Sequence, residues 1–180
     1  MRWLTFALFT ACALVLQSAV APRIELLTCR PDWLVIIVVF FALHARNTDA
    51  VVGAWIIGAG ADLMTIEQPG FIALSYSLAA LAVASVRDYF FRQRILTQSL
   101  IAGATCLMVQ TAWFIYRRAR YDYHQSFLAD FALTVLLASV YTTLWAPALH
   151  RLMLAMSSAF GIRRPRYLHS GLLQLDKSRV

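Results

Sequence analysis

Apolar residues fall into six runs separated by short polar stretches: Trp3–Val20, Trp33–Leu43, Ala50–Ile66, Phe71–Val86, Ile95–Tyr116 and Phe127–Leu149. A hydrocarbon core about 30 Å thick takes roughly 20 helical residues to cross. The first, fifth and sixth runs meet that length directly. The pattern therefore predicts an all-α, polytopic membrane helical bundle of about six transmembrane helices over residues 1–150, followed by a basic cytoplasmic tail at 151–180.

The second run is the shortest. Pro31 can serve as its first helical residue, where a missing N–H is harmless, and His44 and Ala45 extend its far end. A re-entrant hairpin of the second and third runs would place His44, Arg46, Asn47 and Asp49 at mid-depth. A central charge costs about 2.5–3.5 kcal/mol there, so a full crossing with local bilayer thinning is preferred. Arg2, the first run and Ser18-Ala19-Val20-Ala21 also fit a cleavable signal peptide. The five runs that follow favour a retained first helix.

Composition strengthens the membrane reading. Hydrophobic residues make up 61% of the 180 and charged residues 14%, against roughly 25% charged in soluble domains. There are 16 basic and 9 acidic residues, and the arginines sit between runs and in the tail. That distribution points to topology and anionic lipid rather than nucleic acid. With the N-terminus inside, Arg2, Arg46, Arg87, Arg92, Arg94, Arg151, Arg163, Arg164, Arg166, Lys177 and Arg179 face the cytoplasm. Arg23, Arg30, Arg117, Arg118 and Arg120 face outward. Both termini are therefore expected in the cytoplasm, with Arg87, Arg92, Arg94, Arg163, Arg164 and Arg166 meeting lipid headgroups or a cytoplasmic partner.

No pattern of reactive groups emerges. Cys12, Cys29 and Cys106 form no metal-binding or disulfide framework, and no P-loop, dinucleotide fingerprint or nucleophile elbow is present. No metal and no cofactor is expected. Asp62 closes Gly58-Ala59-Gly60-Ala61-Asp62, one residue longer than the Gly-x-Gly-Asp pattern of intramembrane aspartyl proteases. An acid in an apolar helix turns toward protein or water, so Asp62 is read first as an ion-pair or hydrogen-bond anchor, with a proton relay or catalytic acid as the alternatives. Asp130 is read as a carboxylate complementing the last helix's N-terminal dipole.

Small residues mark the third run. Ala54, Gly58 and Asp62 share one helix face, and Gly53 and Gly60 a neighbouring one. Such residues let helices approach closely in lipid, either within the chain or against another protein's helix. Pro69-Gly70 predicts a tight turn before the fourth run. Trp55, Tyr76, Trp113 and Asp62 could instead line a ligand cavity, as a small-molecule-binding membrane subunit of a transporter would require.

The ordered set Pro31-Asp32, the unbroken Trp33–Leu43 run, Gly53, Gly58, Asp62-Leu63, Pro69-Gly70 and Ala73-Leu74 resembles the rod shape-determining protein MreD family over about residues 30–90. The turn departs from that pattern in having no residue between Pro69 and Gly70, and the tail after 163 is longer. The resemblance implies a non-enzymatic, multi-pass protein of the bacterial inner membrane, within the cell-wall elongation complex. It implies contact with the MreC membrane helix and linkage to MreB and the peptidoglycan synthases. It also implies a fold like the substrate-binding subunit of energy-coupling-factor transporters. Pro31, Asp32, Gly53, Gly58, Gly60, Asp62, Pro69, Gly70 and Tyr76 are the candidate packing and partner-binding residues.

Overall fold

The computed structural model describes residues 3–24, 29–65, 69–87, 95–120 and 131–156. These form helices α1 (Trp3–Ala19), α2 (Trp33–His44), α3 (Asn47–Asp62), α4 (Phe71–Val86), α5 (Ile95–Arg120) and α6 (Leu137–Met156). A 3-10 turn at Ala21–Ile24 follows α1, and a π-helical turn at Ala132–Leu136 leads into α6.

The centre of the bundle is α2. Every residue from Trp33 to Leu43 is buried, and α2 touches each of the other five helices. A helix that is apolar all round must avoid water, in lipid or in protein, and here the other helices provide the cover. Twelve residues span about 18 Å, too little to cross a bilayer unaided. Because protein rather than lipid surrounds it, α2 need not match the hydrocarbon thickness, and bilayer thinning is not required to accommodate it. Its start also differs from expectation. The helix begins at Trp33 with Asp32 as N-cap, so Pro31 lies before the cap rather than inside the first turn.

Two helix pairs flank α2. The most extensive contacts in the fold join α3 to α4 and α5 to α6. Between α3 and α4, a Cβ placed on Gly58 would lie 2.5 Å from the Ala73 Cα. Only glycine permits that backbone approach. On α5, Gly103 makes room for a side chain instead: a Cβ there would collide with the Thr143 hydroxyl of α6. On the other face of α3, Gly53 lies against the Phe6 ring and Gly60 against Leu14, both from α1.

Several helix ends move from where the apolar runs put them. α3 already begins at Asn47, and α5 continues through its arginines to Arg120. α6 runs on to Met156 with Pro147 inside it. The expected start of the last run at Phe127 lies outside the described residues, as do Asp130, Arg92, Arg94, Arg163, Arg164 and Arg166.

The outside of the bundle is apolar. Leu8, Leu74, Leu100, Ile115 and Leu144 all point outward and are more than half exposed. Exposure of so many large apolar side chains is unusual for soluble monomers. Leu96–Arg120 and Leu133–Met156 are each long and apolar enough to cross a membrane. In lipid, helices gain little from the hydrophobic effect against one another, so close packing and polar contacts must hold them.

Candidate functional site

The polar contacts gather at the ends of α2 and α4. Asp32 occupies the N-terminus of α2, where four backbone N–H groups lack intrahelical acceptors and the helix dipole favours an anion. Its Oδ1 accepts the Val35 N–H at 3.2 Å. The Tyr76 hydroxyl, from the middle of α4, donates to Oδ1 at 3.2 Å and Oδ2 at 3.1 Å. The Gln110 amide of α5 reaches Oδ2 at 3.5 Å. The backbone N–H of Asp32 donates to Thr142 Oγ1 of α6 at 3.0 Å. Gln17 of α1 completes the ring: its Nε2 donates to the Pro31 carbonyl at 3.0 Å, and its Oε1 accepts the Trp33 N–H at 3.1 Å. One helix terminus is thus bonded to side chains from α1, α4, α5 and α6.

Beside this hub lies a cavity of about 110 Å³ between α4 and α5, lined by Asp32, Phe71, Ser75, Tyr76, Gln110 and Trp113 among others. Phe71 and Tyr116 stack with ring centroids 4.5 Å apart, and Trp113 lies 5.5 Å from Phe71. The cavity lining thus combines polar groups with the rings of Phe71 and Trp113.

Asp62 is the second anchor. It is the last residue of α3 and is buried. Its Oδ2 accepts the N–H groups of Gly70 and Ala73, each at 3.0 Å, and its Oδ1 accepts that of Ile72 at 3.1 Å. One carboxylate thereby satisfies three of the donors that open α4. Gly70 makes the geometry possible. Its φ of +106° is left-handed, and nothing lies within 4 Å of where its Cβ would be, so conformation rather than space selects glycine. The chain leaves α3 through Met64 N–H to Ala61 C=O and Thr65 N–H to Asp62 C=O.

Arg87 forms the third anchor, at the opposite end. Its Nη1 donates to the Ala45 carbonyl at 2.6 Å and lies 3.5 Å from that of Ala42. A cation there complements the C-terminal dipole of α2.

The candidate residues thus separate into three groups. Asp32 and Tyr76 meet at the hub. Asp62, Pro69 and Gly70 belong to the α3–α4 turn, with Gly58 one helical turn before Asp62. Gly53 and Gly60 face α1. Of the residues suggested as cavity lining, Tyr76 and Trp113 line the same cavity, whereas Trp55 is 57% exposed on the outer face of α3 and Asp62 caps α4. Gln17, Gln110, Thr142 and Gly103 were not anticipated. Their signal in the sequence is a lone polar or tiny residue interrupting an apolar helix.

An apolar exterior, a sheathed central helix and carboxylates committed to helix termini together define a helical membrane protein held by polar clamps. The family model for the rod shape-determining protein MreD matches residues 1–156, and the chain belongs to that family. Its process is accordingly the determination of rod shape at the membrane. No significant match to a curated protein or to a solved structure was found.

Proposed function

We propose that the chain is a non-catalytic, multi-pass component of the bacterial inner-membrane elongation complex, that it binds the MreC helix, and that it helps couple peptidoglycan synthesis to the MreB cytoskeleton. Family membership supports the process. The observation that carries the non-catalytic part is the commitment of Asp62 to three backbone N–H groups at 3.0–3.1 Å, which leaves it a fastening role. The chain passes through the bilayer six times in this reading, α2 doing so inside the sheath of the other five helices, with both termini in the cytoplasm. The likeness to energy-coupling-factor subunits stays an analogy of fold and supplies no substrate.

The glycines of α3 already meet α1 and α4 of the same chain. The partner's helix is better received by the outward face of the α3–α4 pair, where Val52, Trp55, Leu74, Leu78 and Leu81 are exposed. Arg87, Arg92 and Arg94, with Arg163, Arg164 and Arg166 of the tail, serve anionic lipid or the cytoplasmic partner. Co-purification from native membranes tests the reading. MreC should be recovered with the wild-type chain and reduced several-fold by Trp55→Ala combined with Leu78→Ala, with unfolding unchanged. Recovery of transporter ATPases instead of MreC would overturn it.

A further inference from the structure

The α4–α5 seam carries more than the hub. Along it, the Asp32 cavity is followed by an apolar groove of about 250 Å³ lined by Ala79, Ala82, Val83, Ala104, Thr105 and Met108 among others. The register is continuous. On α4, Tyr76 of the cavity precedes Ala79 of the groove by three residues, and on α5 Val109 of the cavity adjoins Met108 of the groove. Small side chains on both helices keep the groove open to the surface, and it extends to Arg87 at the far end of α4.

Among the described residues, the side-chain and backbone groups bonded to the Asp32 carboxylate carry no positive charge. The donors to the Asp32 carboxylate described above, the Val35 amide, the Tyr76 hydroxyl and the Gln110 amide, are all neutral. Asp32 is partly buried, and a carboxylate so placed is favoured by a paired cation. Trp113 and Phe71 line the same cavity, and aromatic rings attract cations through their quadrupoles. At about 110 Å³ the cavity is far below the roughly 300–1,000 Å³ of sites for metabolite-sized ligands. It suits an ammonium group with a short stem.

We infer that the α4–α5 seam binds a phospholipid with a primary-amine headgroup, the ammonium in the cavity of Asp32, Gln110 and Trp113 and an acyl chain along the Ala79–Met108 groove. The seam selects a primary over a quaternary amine, because an –NH₃⁺ group donates hydrogen bonds to the carboxylate and is small enough to enter. The proposal stands independently of the partner reading above.

Native mass spectrometry of the purified full-length chain tests it, with phosphatidylethanolamine, phosphatidylcholine and phosphatidylglycerol of identical acyl chains. Phosphatidylethanolamine should be retained about tenfold over phosphatidylcholine. Asp32→Asn should abolish that preference, since asparagine keeps the N-cap and removes the charge. Ala104→Leu, which fills the groove, should weaken phosphatidylethanolamine binding without affecting the fold. Equal retention of the three lipids by the wild type, or an unchanged preference in Asp32→Asn, would overturn the inference. So would displacement of the lipid by free ethanolamine at equal concentration, because the site would then not use the acyl chain. Should Asp32→Asn fail to fold, Trp113→Leu replaces it, with the same loss of preference expected and an unchanged preference again overturning the inference.

Discussion

The hydroxyl of Tyr76 donates to the carboxylate of Asp32 at 3.1 Å, joining the N-terminus of the sheathed helix to the middle of α4 across 44 residues of sequence. Helix contacts in lipid lack a hydrophobic drive, and interhelical hydrogen bonds contribute about 0.6 kcal/mol on average and up to about 1.7 kcal/mol. A bond to a carboxylate belongs at the upper end. Tyr76→Phe should therefore lower stability by about 1.5 kcal/mol, read from unfolding in detergent micelles, while helix content stays the same. An unchanged unfolding midpoint would mean that the contact does not hold α2 to α4.

Asp62 should be less forgiving. Asp62→Leu leaves the Ile72 and Ala73 amides without an acceptor, whereas Gly70, which is exposed, can bond water. An unsatisfied buried donor costs about 1–3 kcal/mol, so about 3 kcal/mol should be lost. Asp62→Asn keeps an acceptor oxygen and should lose about 1 kcal/mol. The same unfolding series checks the order; equal losses for the two variants would contradict the capping role.

The glycines predict a different ranking. Gly58→Ala drives a methyl into the Ala73 backbone and should cost about 1–3 kcal/mol as α3 and α4 separate. Gly53→Ala meets only the end of the Phe6 ring, 3.2 Å away, which can shift. Its effect should be smaller. Gly70→Ala meets nothing but must hold a left-handed backbone, about 1–2 kcal/mol. Disulfide cross-linking between cysteines introduced on α3 and α4 would report the separation expected for Gly58→Ala alone.

Arg87 allows its internal bond to be separated from lipid contact. Arg87→Gln weakens the link to the Ala45 carbonyl and should destabilise the fold by about 0.5–1 kcal/mol. That loss should persist in neutral detergent without anionic lipid. If it appeared only with anionic lipid present, headgroup binding rather than helix capping would be its main role.

Much of this architecture was readable from residues 33–62. An eleven-residue run with no polar face, Trp33–Leu43, has no side to offer water, but hydropathy does not distinguish a cover of lipid from a cover of protein, and its sheath of five helices is visible only in the fold. An acid in a glycine-spaced helix announced an anchor at Asp62. What it holds was not legible, because its partners are backbone N–H groups across a turn, and backbone carries no sequence signature. Small residues at Gly53, Gly58 and Gly60 signalled close approach without naming the neighbour, since glycine records that something is near and not what. Gln17, Gln110 and Thr142 escaped notice for a related reason. Each is a single polar residue in an apolar helix, and only the tertiary fold brings them to Asp32. Helix ends were misplaced where capping, not hydropathy, decides them, as at Asp62.

In the function proposed above, the polar side chains of this membrane protein fasten helices and carry out no chemistry. Replacing the chromosomal copy with Asp62→Asn, and scoring cell shape at matched levels of folded protein, tests it most directly. Asparagine keeps an acceptor for the α4 amides but cannot relay a proton or act as an acid, so the cells should remain rods. Round cells with Asp62→Asn folded and present at wild-type abundance would contradict it.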